Sequence, residues 1–214
     1  MLNMLLNGQV LLFAILLLAI VISLSLHEFG HAAMATALGD DTARRSGRLT
    51  LNPGAHIDPM GLLLVVLVLV GFGYARPVPF SPARLRARWA PAAVAAAGPG
   101  MNLLLATIAV NALALAARPD GLALAPEALL ALRILAQINL LLMLFNLLPL
   151  GPLDGHYVLS WLLPPALGRR YDAFNARHGA QAFLVLILLS VLGVPVFRAL
   201  ARLADRVLPL LIVI

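Results

Sequence analysis

His27 and His31 stand four residues apart in the phrase HEFGH, with Glu28 between them. On a helix that spacing puts both imidazoles on one face, close enough to grip a single metal ion. Glu28 is too near His27 in sequence to share the metal with both histidines in a simple geometry. Its expected role is general base, taking a proton from water on the metal and passing it to a leaving amine. Zinc in a hydrolytic site takes three protein ligands and leaves a fourth position to water. A third ligand must therefore come from elsewhere, and with no cysteine in the chain it cannot be a thiolate. Asp154, in the Pro/Gly-bent segment NLLPLGPLDG, is the leading candidate, and its bland alternative is to cap the helix that begins HYVLSW. His56 and Asp58, in another loop, are its rivals, with His156 a further one. Asn146 has the chemistry to hydrogen-bond a substrate backbone or a developing oxyanion. Equally, it could glue one helix to another.

The elements that must position these groups are membrane helices. The 214 residues are 62% hydrophobic and 11% charged, with a mean hydropathy of +0.99. No soluble domain of this size carries so many apolar residues. Residues 10–26 hold no charge and only two serines. They make about 26 Å of helix, near the thickness of a hydrocarbon core, and His27 follows with no break in the helical pattern. Titratable groups inside such a helix are expensive, so they are functional candidates by default. The run lacks a basic segment ahead of it and is too long for a signal sequence, so it reads as retained. The net charge of +6 comes from arginines beside apolar runs rather than a long basic tract. That favours membrane-flanking charge over nucleic-acid binding.

Residues 90–117 and 128–148 read as further spans, the first containing Pro99, which would kink a helix unless it sits in a break. The apolar run 60–73 is short for a span and suits a re-entrant piece. Prolines at 77, 79 and 82 confine the next segment to an irregular or edge strand. Residues 164–179 read as a polar loop. The apolar tail 180–214 is interrupted at Gly193 and Pro195 and carries Arg198, Arg202 and Arg206 as a stripe on one helix face. If 60–73 does not cross, the arginine-rich loops 39–89 and 149–179 share one side with HEFGH and LDG, and the positive-inside rule makes that side cytoplasmic. Lysine is absent, as in proteins of high-GC bacterial genomes, which fits a bacterial inner membrane.

HEFGH, AGPGMN (97–102) and NLLPLGPLDG (146–155), in this order, resemble the motifs of the site-2 protease family of intramembrane zinc metalloproteases. LNPGAHIDPMG and GYARPVPFSP are similar to loops of its compact prokaryotic branch. The resemblance implies one zinc per chain held by His27, His31 and Asp154, with Glu28 catalytic and Asn146 assisting the substrate or intermediate. It further implies that the segment around 72–82 presents a substrate strand by β-addition. His56 is left with three readings: approach to the metal, a bond to substrate, or bracing its loop. No PDZ-like insertion or CBS extension is seen.

The expectation is an all-α polytopic membrane protein: a three-helix catalytic core, C-terminal helices, and a short extended or re-entrant segment between the first two spans. It forms one membrane-embedded domain over 1–214, with its core at about 9–160 and its C-terminal apolar helices at about 180–214. Its partners are the lipid bilayer and a transmembrane protein substrate, with no nucleic acid. The competing class is a membrane protein that binds or transports a divalent metal. Glu28 in the general-base position and the lack of paired broken helices argue against it.

Overall fold

The computed structural model describes residues 1–58, 77–85 and 87–214. A short helix α1 (Leu2–Leu6) leads into α2 (Val10–Ala37). Gly39 stops α2 by taking φ 101°, a left-handed conformation that suits glycine after a helix end. Two single-turn helices follow, α3 (Thr42–Arg45) and α4 (Pro53–His56), and then a 3-10 turn at Pro82–Arg84. The remaining helices are α5 (Ala90–Ala116), α6 (Pro126–Asn146), α7 (Gly155–Leu162), α8 (Pro165–Val191) and α9 (Val196–Val207), closed by a 3-10 turn at Leu208–Leu211. No strand occurs among the described residues. Four helices, α2, α5, α6 and α8, are long and apolar enough to cross a membrane. The chain is thus an all-α, multi-pass membrane protein.

Helices α2, α5 and α6 pack on one another and form the core. Lipid tails are as apolar as leucine, so close packing between small residues has to hold such helices together. The buried face of α5 is built accordingly, from Ala90, Ala92, Ala95, Gly98, Ala106 and Ala109. Opposite it, a Cβ on Gly30 of α2 would lie 2.7 Å from both the Ala97 carbonyl oxygen and Met101 Cγ. The two backbones therefore cross where only glycine fits. Helix α5 runs unbroken through Pro99. The missing N–H leaves the Ala95 carbonyl without its helical donor.

Residues 164–179 are not the loop their polarity suggests, but the first half of α8. Pro165 at its start is preset for a helical φ, and tertiary bonds then fix the segment. The Tyr171 hydroxyl donates to the Pro149 carbonyl at 2.6 Å, and the buried Asn175 side chain accepts the Gly151 N–H at 2.8 Å. The tail turns at Gly193 (φ 103°) and folds back so that α9 packs along α6 and the closing 3-10 turn packs on α5. Ala204 packs with Ala106 and Leu140, while Leu208 and Leu211 pack with Ala109, Val110 and Ala136. Arg198, Arg202 and Arg206 lie on the outward face of α9. The 60–73 segment and the first part of 72–82 lie outside the described residues.

Candidate metal centre and active site

Two segments bring the candidate ligands to one point, and a third helix shapes the space around them. Helix α2 presents His27 and His31, whose Nε2 atoms are 3.0 Å apart. Asp154, at the start of α7, places Oδ2 3.3 Å from the first and 3.4 Å from the second. Asp154 sits at the N-cap position but makes no capping bond with its side chain. Its carboxylate faces the histidines instead. Helix α5 supplies the floor: a Cβ on Gly98 would overlap the His31 ring and lie 2.7 Å from His27 Cε1. Glycine is needed there because the rings occupy the space a side chain would fill.

The hydrogen bonds behind the rings set which nitrogens face the centre. His31 Nδ1 lies 2.8 Å from the Val94 carbonyl, which can only accept, so Nδ1 carries the proton. His27 Nδ1 lies 2.6 Å from Asn102 Oδ1. The amide nitrogen of Asn102 is already donating, to the Ser23 carbonyl at 3.3 Å and to Asn139 Oδ1 at 2.8 Å. Asn139 in turn donates to Ser23 Oγ and to the Leu135 carbonyl, both at 2.8 Å. Asn102, Asn139 and Ser23 are fully buried, so each must find partners inside the protein. This network fixes the His27 tautomer. In neutral rings, both Nε2 lone pairs then point at the same spot.

Asp154 Oδ2 points there too, buried and with no hydrogen-bond donor. Two imidazole lone pairs and an unpaired carboxylate oxygen make a nest of acceptors with nothing to accept. A cation resolves that, and a His-His-Asp set suits zinc.

Glu28, only 7% exposed, points from α2 toward a strap at residues 77–81. Its Oε2 accepts the Val78 N–H at 3.2 Å. Val78 is buried against Ala32 and Ala43. Further along the strap, the Ser81 N–H donates to the buried carboxylate of Asp40, which also accepts from the Thr42 amide and hydroxyl. The Phe80 ring meets Tyr157 of α7 edge-on at 5.8 Å. The strap thus ties the glutamate's helix to the helix that starts at Asp154.

Over 175 residues the chain is 41% identical to "Putative zinc metalloprotease YwhC" of Bacillus subtilis, covering 80% of this chain and 78% of that protein. It is 32% identical over 172 residues to "Putative zinc metalloprotease Rip2" of Mycobacterium tuberculosis, covering 79% of this chain and 64% of that one. The Mycolicibacterium smegmatis protein of the same name is 34% identical over 176 residues, with 79% and 63% covered. The chain belongs to the site-2 protease family. It is a zinc metalloprotease of the membrane, and nothing favours a metal transporter. No protein-family model and no solved structure matches it.

Within this site-2 protease, the other residues singled out in the sequence bond to carbonyls of their own segments or fall outside the His-His-Asp group. The Asn146 amide donates to the Leu142 carbonyl of its own helix at 3.0 Å. His56 is fully buried with Nε2 2.7 Å from the Thr50 carbonyl, which braces the loop that carries it. His156 Nδ1 lies 2.7 Å from the Leu153 carbonyl. Among the described residues, Asp58 is not part of the metal-binding group. From sequence alone Ser23 and Asn139 have no assigned role, Asp40 only ends a helix, and Gly98 and Asn102 enter only as a small helix-contact residue and as part of AGPGMN. The signal for the asparagines was present: an uncharged amide inside an apolar span needs a buried partner.

Proposed function

We propose that this protease cleaves the transmembrane segment of another protein within or near the bilayer, with His27, His31 and Asp154 holding the zinc. Bound zinc supplies Lewis acidity, polarising a carbonyl and lowering the pKa of water. Glu28 accepts the proton of the attacking water and returns it to the leaving amine. The Val78 N–H holds its carboxylate in line while the Asn102 and Val94 contacts keep the histidines in their ligand tautomers. What carries this reading is the donor-free cluster of two imidazole nitrogens and the Asp154 carboxylate oxygen, with Glu28 beside it on the same helix.

The substrate follows from the setting. A helix in lipid has its peptide bonds hydrogen-bonded and hidden, so it must unwind locally before a hydrolytic centre reaches the bond. Helix-breaking residues near the cut favour this, and the strap at 77–81 runs beside Glu28. Asn146, at the end of α6, assists the substrate or the intermediate. The arginine-rich end, which carries the site, faces the cytoplasm of a bacterial inner membrane. The chain works as one membrane-embedded unit.

The test is cleavage of a panel of single-span membrane proteins by wild type and Glu28→Gln, with zinc measured in both. Cleavage by wild type alone, with zinc in both, supports the assignment. Equal cleavage by both proteins removes Glu28 from its role, and no zinc in either removes the metal centre.

A further inference from the structure

A cavity of about 870 Å³ opens between the start of α5, helix α7 and the first half of α8. Helices α5 and α8 both pack on α7, which roofs the gap. Arg88, just before α5, lines one wall, and Arg169 and Arg177 of α8 line the other. Asp172 is the single carboxylate among the lining residues. Among the described residues none of these four side chains makes an ion pair; Arg88 reaches only the Leu163 carbonyl, at 3.5 Å. Three exposed arginines around one space against one exposed aspartate leave an excess of two positive charges and a surplus of unused N–H donors.

The cavity lies at the end of the bundle where α5 begins and α6 ends. Trp161 lines it and Trp89 is adjacent, each 47% exposed. Exposed tryptophans of this kind mark the membrane–water interface. Apolar groups, Pro91, Ala92 and Ala176 among them, complete the lining. Arginine forks on facing walls match the oxygens of a phosphate better than the two oxygens of a carboxylate. A cationic pocket between helices at the headgroup level fits a phosphate ester attached to an apolar body.

We propose that this cavity binds a phosphate ester, and that its natural source is the headgroup of an anionic phospholipid. The ligand sits against Gly151 and Pro152 on one side of Asp154 in the chain and against His156 and Tyr157 on the other, each pair one residue removed from it. Headgroup binding therefore braces the loop that delivers Asp154. The inference concerns lipid binding and does not require proteolysis.

The experiment uses full-length Glu28→Gln protein, so that cleavage plays no part. It measures phospholipid retained after purification, by native mass spectrometry, and affinity for phosphatidylglycerol against phosphatidylcholine in nanodiscs. The expected result is one retained anionic phospholipid per chain and a preference for phosphatidylglycerol of roughly tenfold or more, as for paired charge-assisted bonds. Arg169→Gln/Arg177→Gln should abolish both, while Arg198→Gln/Arg202→Gln on the outward face of α9 should keep both. A helical circular-dichroism spectrum and a monodisperse elution matching those of the parent show that each variant is folded. Retention against millimolar inorganic phosphate assigns the site to the headgroup, and displacement by it overturns the lipid source. No preference between the two lipids in the Glu28→Gln parent, or an equal preference in the Arg169/Arg177 variant, overturns the site. Loss of preference only when an acidic peptide is supplied would assign the cavity to a protein ligand and overturn the proposal.

Discussion

His27 Nδ1 and Asn102 Oδ1 meet at 2.6 Å across the interface of α2 and α5, a contact that turns the Nε2 lone pair of His27 toward His31 and Asp154. Asn102 is held in turn by Ser23 and Asn139, so residues from three spans decide the chemistry of one nitrogen. Asn102→Ala should weaken zinc binding about 10- to 100-fold, as outer partners of metal-binding histidines do. Zinc competition with a chelator measures it. An unchanged affinity would show that the ring is oriented by packing alone.

Gly98→Ala tests the approach of α5 to the histidines. The added methyl would overlap the His31 ring and crowd His27. Overpacking of this kind costs about 1–3 kcal/mol, and here the ring that must move is a proposed zinc ligand. Zinc content should fall severely while Gly100→Ala, where the same methyl meets nothing within 4 Å, leaves it intact. Equal zinc in the two variants would contradict the close crossing.

Asp154 occupies an N-cap position, and serine caps helices as well as aspartate does. Asp154→Ser and Asp154→Asn should both lose zinc. Neither should lower the thermal stability of the metal-free protein through capping, because no side-chain cap bond exists to lose. Zinc retained in Asp154→Ser would return Asp154 to a purely structural role.

Asp40 anchors the strap beyond Glu28. Burial opposes its charge, but hydrogen bonds from Thr42 and Ser81, with the Arg84 cation near, outweigh this and hold its carboxyl below the ordinary 3.8. A depressed carboxylate contributes stability that is complete above its ordinary value and is lost as pH falls through the lowered one. The strap should therefore stay closed across neutral pH and loosen only in acid. Asp40→Ala should raise hydrogen exchange at the Ser81 amide by roughly tenfold or more at neutral pH, since a part-buried amide loses its acceptor. An exchange rate equal to wild type would mean that other contacts hold the strap.

How much was legible in advance follows from which interactions are local. The four-residue spacing of His27 and His31, the glutamate between them, and the uncharged run before them specify a metal-binding face on a spanning helix within about two turns of chain. The apolar runs of α5 and α6 likewise announce themselves, because a segment in lipid must satisfy its own backbone. The ranking of Asp154 above His56, Asp58 and His156 rested on bent backbone and family motifs. Polarity misled at 164–179, where a helix is held by Tyr171 and Asn175 reaching back to the 149–151 turn, contacts that leave no periodic trace. Only the tertiary structure decided that Asp154 faces the histidines and not the end of its own helix. It alone joined Asn102 to His27, made Gly98 the floor of the centre, and closed the Asp40 strap over Glu28. Each of these depends on a distance between residues far apart in sequence, set by how closely small side chains let three helices approach.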